Sequence, residues 1–525
     1  MNDTMKIEVV SKESIKPSYP TPNNLKIHNL SNLDQLIPAF YMDHILYYPS
    51  LDSNDSSLGD DEEDKKMIFS ASSRHRCDVV KKSLAETLTR YYPLAGRIKD
   101  EKSVECNDEG VDYIEARVVG ITVSQVIQLA SSDIEVMEPF LPYEPYGGTG
   151  SAFRRAGIHS NSKPLLKIQV NVFDCGGMVI CLSGSHKVID ATSILNFVND
   201  WAATARGGFD THDDELKVAV VDKPCYIFSS MFPPTSFGNQ EEKDTADQAQ
   251  LVPDRIEIVT KRFVFKDSSI AKLKKKCIHV NTNNGSDHQV DKQEHNMQQM
   301  PSRIEALTSL IWMCFMDVDR RFRVKQIDDA VSPVNTVNEV SLPKQVQYVA
   351  GFAINLRTRT IQPLPTNSFG NMTDTAIAEV TLNLTGSDHF NNEKGIRDQS
   401  QNYPELVSKI KDSIKLVDNK HIEAMKRNLA ISCNNIKMHQ MMKESTFDQN
   451  TRELLMFSSW CRFPIYEADF GWGKPSWASI TKLLYKNCVM FLDTSSGDGI
   501  EAWVSLKEED MVEFERHEEL VALAS

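Results

Sequence analysis

An α/β or α+β architecture, with sheets covered by helices, is the fold class that this 525-residue chain predicts. Three observations carry the expectation. Apolar residues recur at helical spacing in some stretches and alternate with period two in others, and polar stretches interrupt the chain near its middle. At roughly 150 residues per domain, the length suits either two large domains or three smaller ones. Hydrophobic residues at 41% and charged ones at 25% describe an ordinary globular chain, so core size is no limitation.

The elements follow in order. Val80, Leu84, Leu88 and Tyr91 form one apolar helical face, and Pro93 stops that helix because it lacks an N–H. Ile168–Val172 alternates as a strand, Asp174–Gly177 supplies turn residues, and Met178–Leu182 returns as a buried strand. Ala191–Ala203 has helical spacing again, through Ile194, Phe197, Val198 and Trp201. The second half repeats these textures: a helix at Ile304–Phe315, a strand at Val349–Ile354, and a hairpin of Val489–Leu492 with Ile500–Leu506. Two stretches, Asp52–Asp64 and His279–Met300, are too polar to offset the entropy of ordering them and are expected to be mobile surface insertions. Gly238–Gln250 reads as a linker, so residues 1–215 and 256–525 are expected to be separate domains joined by a crossover at 216–255.

Charge narrows the function. With 58 Lys and Arg against 73 Asp and Glu, the net charge is 58 − 73 = −15, which disfavours nucleic acid and anionic membrane as general partners. No run of about 18 apolar residues is present, so a membrane span is not expected. The start has no apolar signal-peptide core and the end no retrieval tag, so a soluble, cytoplasmic protein is expected. The ten cysteines are scattered, with no C-x-x-C pair and no zinc-like spacing, and are expected to be buried free thiols; no metal is expected.

The segment Val179–Ser193 is the first that could carry chemistry. A strand delivers His186 to its end, with Asp190 four residues later and a helix just beyond. Strand ends facing a crevice are where α/β proteins place reactive groups, and a neutral imidazole there can accept a proton at neutral pH. The alternative is a satisfied turn histidine followed by an aspartate that caps the next helix. Alone, H-x-x-x-D does not decide between them.

A second segment, Phe457–Lys474, contains Asp469-Phe-Gly-Trp-Gly473. An Asp-Phe-Gly triplet occurs in protein kinases, but the chain has no Gly-rich phosphate loop and no His-Arg-Asp catalytic loop. This string together with H-x-x-x-D resembles the plant BAHD acyltransferases, acyl-CoA-dependent enzymes that acylate alcohols and amines. The resemblance extends over nearly the whole chain, through Tyr91–Arg97, Phe173–Gly177, Ser302–Trp312, Asn355–Arg359, Pro363–Pro365 and Gly370-Asn371.

The resemblance implies two similarly built domains of mixed sheets and helices, the CoA-dependent acyltransferase fold, with a channel between them. It makes His186 the general base that takes the acceptor's proton as its oxygen attacks the thioester, with no acyl-enzyme. It makes Asp190 a structural support paired with Arg303, and Asp469, Gly471 and Gly473 a scaffold turn with Arg357 as the partner of Asp469. Trp460 and Ser458 match positions that approach the developing oxyanion, where a Trp N–H would suit as a pure donor. Ser302 with Lys272, Lys274, Lys275 and Lys276 falls in the region of the CoA entrance. The chain departs from the family in one place: Ala191 stands where many members have Gly after the Asp.

Lys6–Lys12, Ile15–Pro22, Phe173–Gly177 and Ser458–Arg462 resemble the alkaloid acetyltransferase branch. The implied reaction transfers acetyl from acetyl-CoA, as co-substrate rather than resident cofactor, to a hydroxyl of a specialised metabolite, by a monomeric enzyme. Benzoyl, hydroxycinnamoyl or aliphatic donors and amine acceptors stay open, as do an esterase and a non-catalytic binding relative.

Overall fold

The computed structural model describes residues 5–38, 40–50, 62–142, 163–207, 223–235, 258–278, 300–331, 345–384, 402–447 and 451–525. They fall into two compact units. One comprises Met1–Pro253, Pro363–Met372 and Arg462–Lys482; the other comprises Asp254–Gln362, Thr373–Cys461 and Leu483–Ser525. The insertion expected at Asp52–Asp64 lies outside the described residues except for Glu62–Asp64, which open a helix. Of the other two polar stretches, only Met300 is described.

The first unit is built on a six-stranded mixed sheet in the order Lys6–Ile15, Val111–Val119, Leu166–Phe173, Met178–Ser185, Tyr41–Tyr48, Trp477–Ser479. All its pairings are antiparallel except that of Val111–Val119 with Leu166–Phe173. Met178–Ser185 is buried at all eight positions, as its unbroken small-and-apolar composition demands of a central strand covered on both faces. Gly184 gives the strand room there: a Cβ would come within 2.3 Å of the Ile189 side chain, which would have to shift. The helices Glu62–Arg90 and Ala191–Gly207 pack together, Trp201 Nε1 donating to the Val80 carbonyl at 3.0 Å and Tyr91 donating to Asp200 at 2.7 Å. Val80, Leu84, Leu88 and Tyr91 form the buried face expected of them.

The second unit holds a six-stranded sheet in the order Thr373–Asn383, Gln345–Asn355, Arg452–Ser459, Cys488–Asp493, Gly499–Lys507, Ile258–Lys266. Its inner pairings, of Arg452–Ser459 with each neighbour, are parallel. The helix expected at Ile304–Phe315 runs on to Val331, and the expected hairpin is present as Cys488–Asp493 with Gly499–Lys507. All ten cysteines are free thiols, and six are buried.

The expected single division of the chain needs correcting in two places. Residues 462–482, with the Asp469–Gly473 string, belong to the first unit instead of the C-terminal one. Trp477–Ser479 pairs with Tyr41–Tyr48, Tyr48 donates its hydroxyl to the Ala468 carbonyl at 2.7 Å, and the Phe470 ring meets Trp201 edge-on at 5.0 Å. These aromatic contacts recruit the segment across the sequence. The stretch expected as crossover is also in part built into that unit. Cys225 donates to the Asn367 carbonyl at 3.0 Å and accepts from Phe369 at 3.0 Å, while Phe228 and Phe232 are buried.

Candidate active site

Met178–Ser185 ends where its side chains stop being covered, and His186 is the first half-buried residue after it. The backbone of this corner is tied down at each step. Ser185 N–H donates to the Leu165 carbonyl at 2.8 Å, His186 N–H to the Phe40 carbonyl at 2.8 Å, and Val188 N–H back to Ser185 at 3.1 Å. The Phe40 ring meets the imidazole edge-on at 5.0 Å. Lys187 turns the other way and donates to the carbonyls of Gln35 at 2.7 Å and Ile37 at 3.2 Å, and burial brings its pKa down to about 8.

The imidazole's Nδ1 is enclosed and makes no hydrogen bond, so Nε2 is the nitrogen with access to solvent. Burial holds the ring pKa below its ordinary value; the ring's own backbone carbonyl, the Asp190 charge, the Asn371 side chain and the Ile189 carbonyl offset part of that shift. The ring is therefore neutral at pH 7, with a lone pair to offer.

Asp190 serves the backbone. Its Oδ1 accepts from Ser193 N and Oγ, both at 2.9 Å, which caps the Ala191–Gly207 helix, and its Oδ2 accepts from Met372 N at 3.2 Å. The helix-cap alternative raised by the sequence thus describes this residue, and Ala191 starts the helix without a glycine. The pairing expected with Arg303 would join the two units; within its own unit Arg303 bonds Asp267 at 3.2 Å and Asp493 at 3.1 Å, because it opens a helix beside those two acidic termini.

Asp469 Oδ1 accepts from Gly471 N and Gly473 N, both at 2.9 Å, and both glycines have positive φ, 108° and 103°. A side chain at either would be strained, which explains the two glycines as a turn. The ion pair expected of Asp469 with Arg357 would likewise join the two units; within its own unit the cation beside Asp469 is Arg206, at 3.9 Å. Arg357, in the second unit, is buried and donates to Asn355 Oδ1.

In the second unit Trp460 follows the strand Arg452–Ser459; its backbone N–H donates to the Phe491 carbonyl at 2.8 Å and its ring is buried. Ser458 is half-buried two residues earlier, in register with Met490. Ser302 caps the Arg303–Val331 helix: its Oγ accepts from Glu305 N at 3.1 Å while Glu305 accepts from Ser302 N at 2.8 Å. Lys276 is paired with Glu519 at 2.7 Å, whereas Lys272, Lys274 and Lys275 have no acidic partner among the described residues.

Sequence reasoning did not find the residues that hold the His186 corner from outside. Asn371 Nδ2 donates to the His186 carbonyl at 2.8 Å and to Asp34 Oδ1 at 2.8 Å. Asp34 and Asn371 are 337 positions apart, and no periodicity relates them. The only signal was Gly370-Asn371 as a family string.

This arrangement can be set beside known proteins. A model of the Transferase family matches residues 5–521 of the chain. The chain belongs to the BAHD acyltransferases. It is 32% identical to limonoid 1-O-acetyltransferase of Citrus sinensis, across 99% of each chain. It is 30% identical to stemmadenine O-acetyltransferase of Catharanthus roseus, across 96% of this chain and 95% of that one. The crystal structure of vinorine synthase superposes with a TM-score of 0.66 at 29% identity, covering 99% of both chains. The two-domain α/β build expected of a BAHD acyltransferase is therefore the fold of this chain. No helix among the described residues is long and apolar enough to cross a membrane.

Proposed function

We propose that this BAHD acyltransferase transfers an acetyl group from acetyl-CoA to a hydroxyl of a polycyclic plant metabolite, with His186 as general base. One observation carries the reading: a neutral imidazole at the end of a buried strand, with Nδ1 enclosed and Nε2 accessible. The names of the relatives support acetyl as the group and an oxygen of a limonoid or of stemmadenine as the kind of acceptor.

His186 Nε2 takes the proton of the acceptor hydroxyl while the oxygen attacks the thioester carbonyl. The tetrahedral intermediate collapses to ester and CoA thiolate, and the imidazolium returns its proton to that sulfur. Bonds and protons balance without an acyl-enzyme, and a base of this kind supplies about 10²–10⁴-fold. The buried cysteines are poor nucleophiles by comparison; burial pushes the Cys181 thiol well above its usual range. The Trp460 indole N–H and Ser458 Oγ are proposed as donors to the oxyanion, one such donor being worth about 10²–10³ in rate. Lys272, Lys274 and Lys275 are proposed to meet the CoA phosphates. Ser302 and Lys276, engaged in a helix cap and an ion pair, act through the fold.

The purified protein, given acetyl-CoA with stemmadenine or a hydroxylated limonoid, should release thiol and form a product heavier by one acetyl group. Thiol release without any acceptor would make the protein a thioesterase and contradict the reading. Greater turnover with benzoyl-CoA would reassign the donor.

A further inference from the structure

Asn371 is fully buried, and its hydrogen bonds all point at one corner of the first unit. Its backbone N–H donates to Asp34 Oδ1 at 2.7 Å, and its Nδ2 hydrogens go to that same oxygen and to the His186 carbonyl, both at 2.8 Å. Asp34 is itself fixed: its Oδ2 accepts from Ser31 N at 2.7 Å and Ser31 Oγ at 2.6 Å, closing a capping box on the Asn32–Leu36 helix. The chain reaches this position through Gly370, whose φ of 118° and proximity to the Phe228 ring, 2.8 Å from an ideal Cβ, admit only glycine.

Asn371 Oδ1 and His186 Nδ1 are both enclosed without a hydrogen bond. Buried polar atoms are rarely left so, and these two belong to residues already joined through the His186 carbonyl. The Asn371 side chain acts on the imidazole in the sense that favours a proton on the ring. An acceptor beside Nδ1 keeps the neutral ring's proton on that nitrogen.

We propose that Asn371 is a positioning residue for His186: clamped by Asp34, its amide fixes the loop carbonyl and sets its oxygen toward the Nδ1 edge, so that Nε2 keeps the lone pair. The proposal rests on His186 being the general base. Asn371 touches neither donor nor acceptor in this account and works through the imidazole alone.

The test is a double-mutant cycle, with acetyl-CoA and whichever of stemmadenine or the hydroxylated limonoid the parent enzyme acetylates. Asn371→Ser retains a short donor for Asp34 but cannot span to the His186 carbonyl. It should fold with a melting temperature close to the parent's, lose about tenfold or more in kcat, and leave the KM for acetyl-CoA within about twofold. In a His186→Ala background the same change should cost nothing further, because its target is gone. A smaller loss in kcat overturns the proposal, as does a loss that recurs at full size in the His186→Ala background. A variant that does not fold also overturns it by assigning Asn371 to the fold. Should His186→Ala itself retain normal turnover, the base reading falls, and that result is read from the single variant alone.

Discussion

His186 in the first unit and His421 in the second each lie near a buried aspartate, yet they differ in what the ring has left to offer. His421 Nε2 is bound to Asp374 at 2.7 Å, and the same carboxylate accepts from Asn434 N at 3.1 Å, Asn435 N at 2.7 Å and the Cys433 thiol at 3.5 Å. Around His186, Asp190 is turned away to cap a helix, and Nε2 is uncommitted. A histidine and an aspartate close in space do not make a site; an unspent nitrogen with access does. His517 extends the lesson. Cys314, His517 and Asp317 stand in the order of a thiol enzyme, with Sγ–Nδ1 at 3.4 Å and Nε2–Oδ2 at 3.1 Å. Cys314 is nonetheless fully buried and its thiol is pushed well up by burial, so the row is a packed hydrogen-bond chain.

The sharpest break of this comparison is at the two carboxylates. Asp374→Ala would strand two backbone N–H groups, an imidazole and a thiol in the interior, and should cost about 3 kcal/mol or more of stability. Asp190→Ala removes at least the helix cap and the acceptor of Met372 N–H, and should cost about 1–2 kcal/mol or more while also slowing turnover, since the next turn upstream is His186. Chemical denaturation with activity measured at low temperature separates the two. Equal stability losses, or a slowed reaction in folded Asp374→Ala, would blur the distinction drawn here.

A further effect follows from acid. His44 is fully buried and burial holds its pKa at about 4; His28 is held at about 4 for the same reason. Below pH 6.5 the unfolded chain binds protons that these folded rings refuse, so stability is full above that pH and falls toward pH 4. The loss should reach about 3 kcal/mol for His44 by that point. His186 titrates in the same sense, so kcat/KM should hold to below pH 6.5 before it declines. His44→Gln should flatten the stability loss and leave the rate profile alone.

What was legible in the sequence was whatever a short window can hold. The unbroken run Met178–Leu182 marked a buried strand, and Val80, Leu84 and Leu88 marked a helix face, because burial repeats at the period of the element. His186 was visible as a strand-end residue, and Gly471 and Gly473 as a turn. The ion partners of Arg303 and Asp469 were not, since they depend on which strand and helix ends meet in the folded chain. Nor was the return of residues 462–482 to the first unit, which rests on rings of Tyr48, Trp201 and Phe470 far apart in sequence. Asp34 and Asn371 stayed hidden for the same reason.

Proton transfer in this enzyme turns on the nitrogen of residue 186. The measurement that addresses it directly is kcat of His186→Ala beside His421→Ala, both with saturating acetyl-CoA and acceptor and both with their melting curves recorded. His186→Ala should melt like the parent and turn over about 10²–10⁴-fold more slowly, while His421→Ala should melt earlier and, where folded, keep the parent's rate within about threefold. A folded His186→Ala enzyme with near-parental turnover would contradict the account.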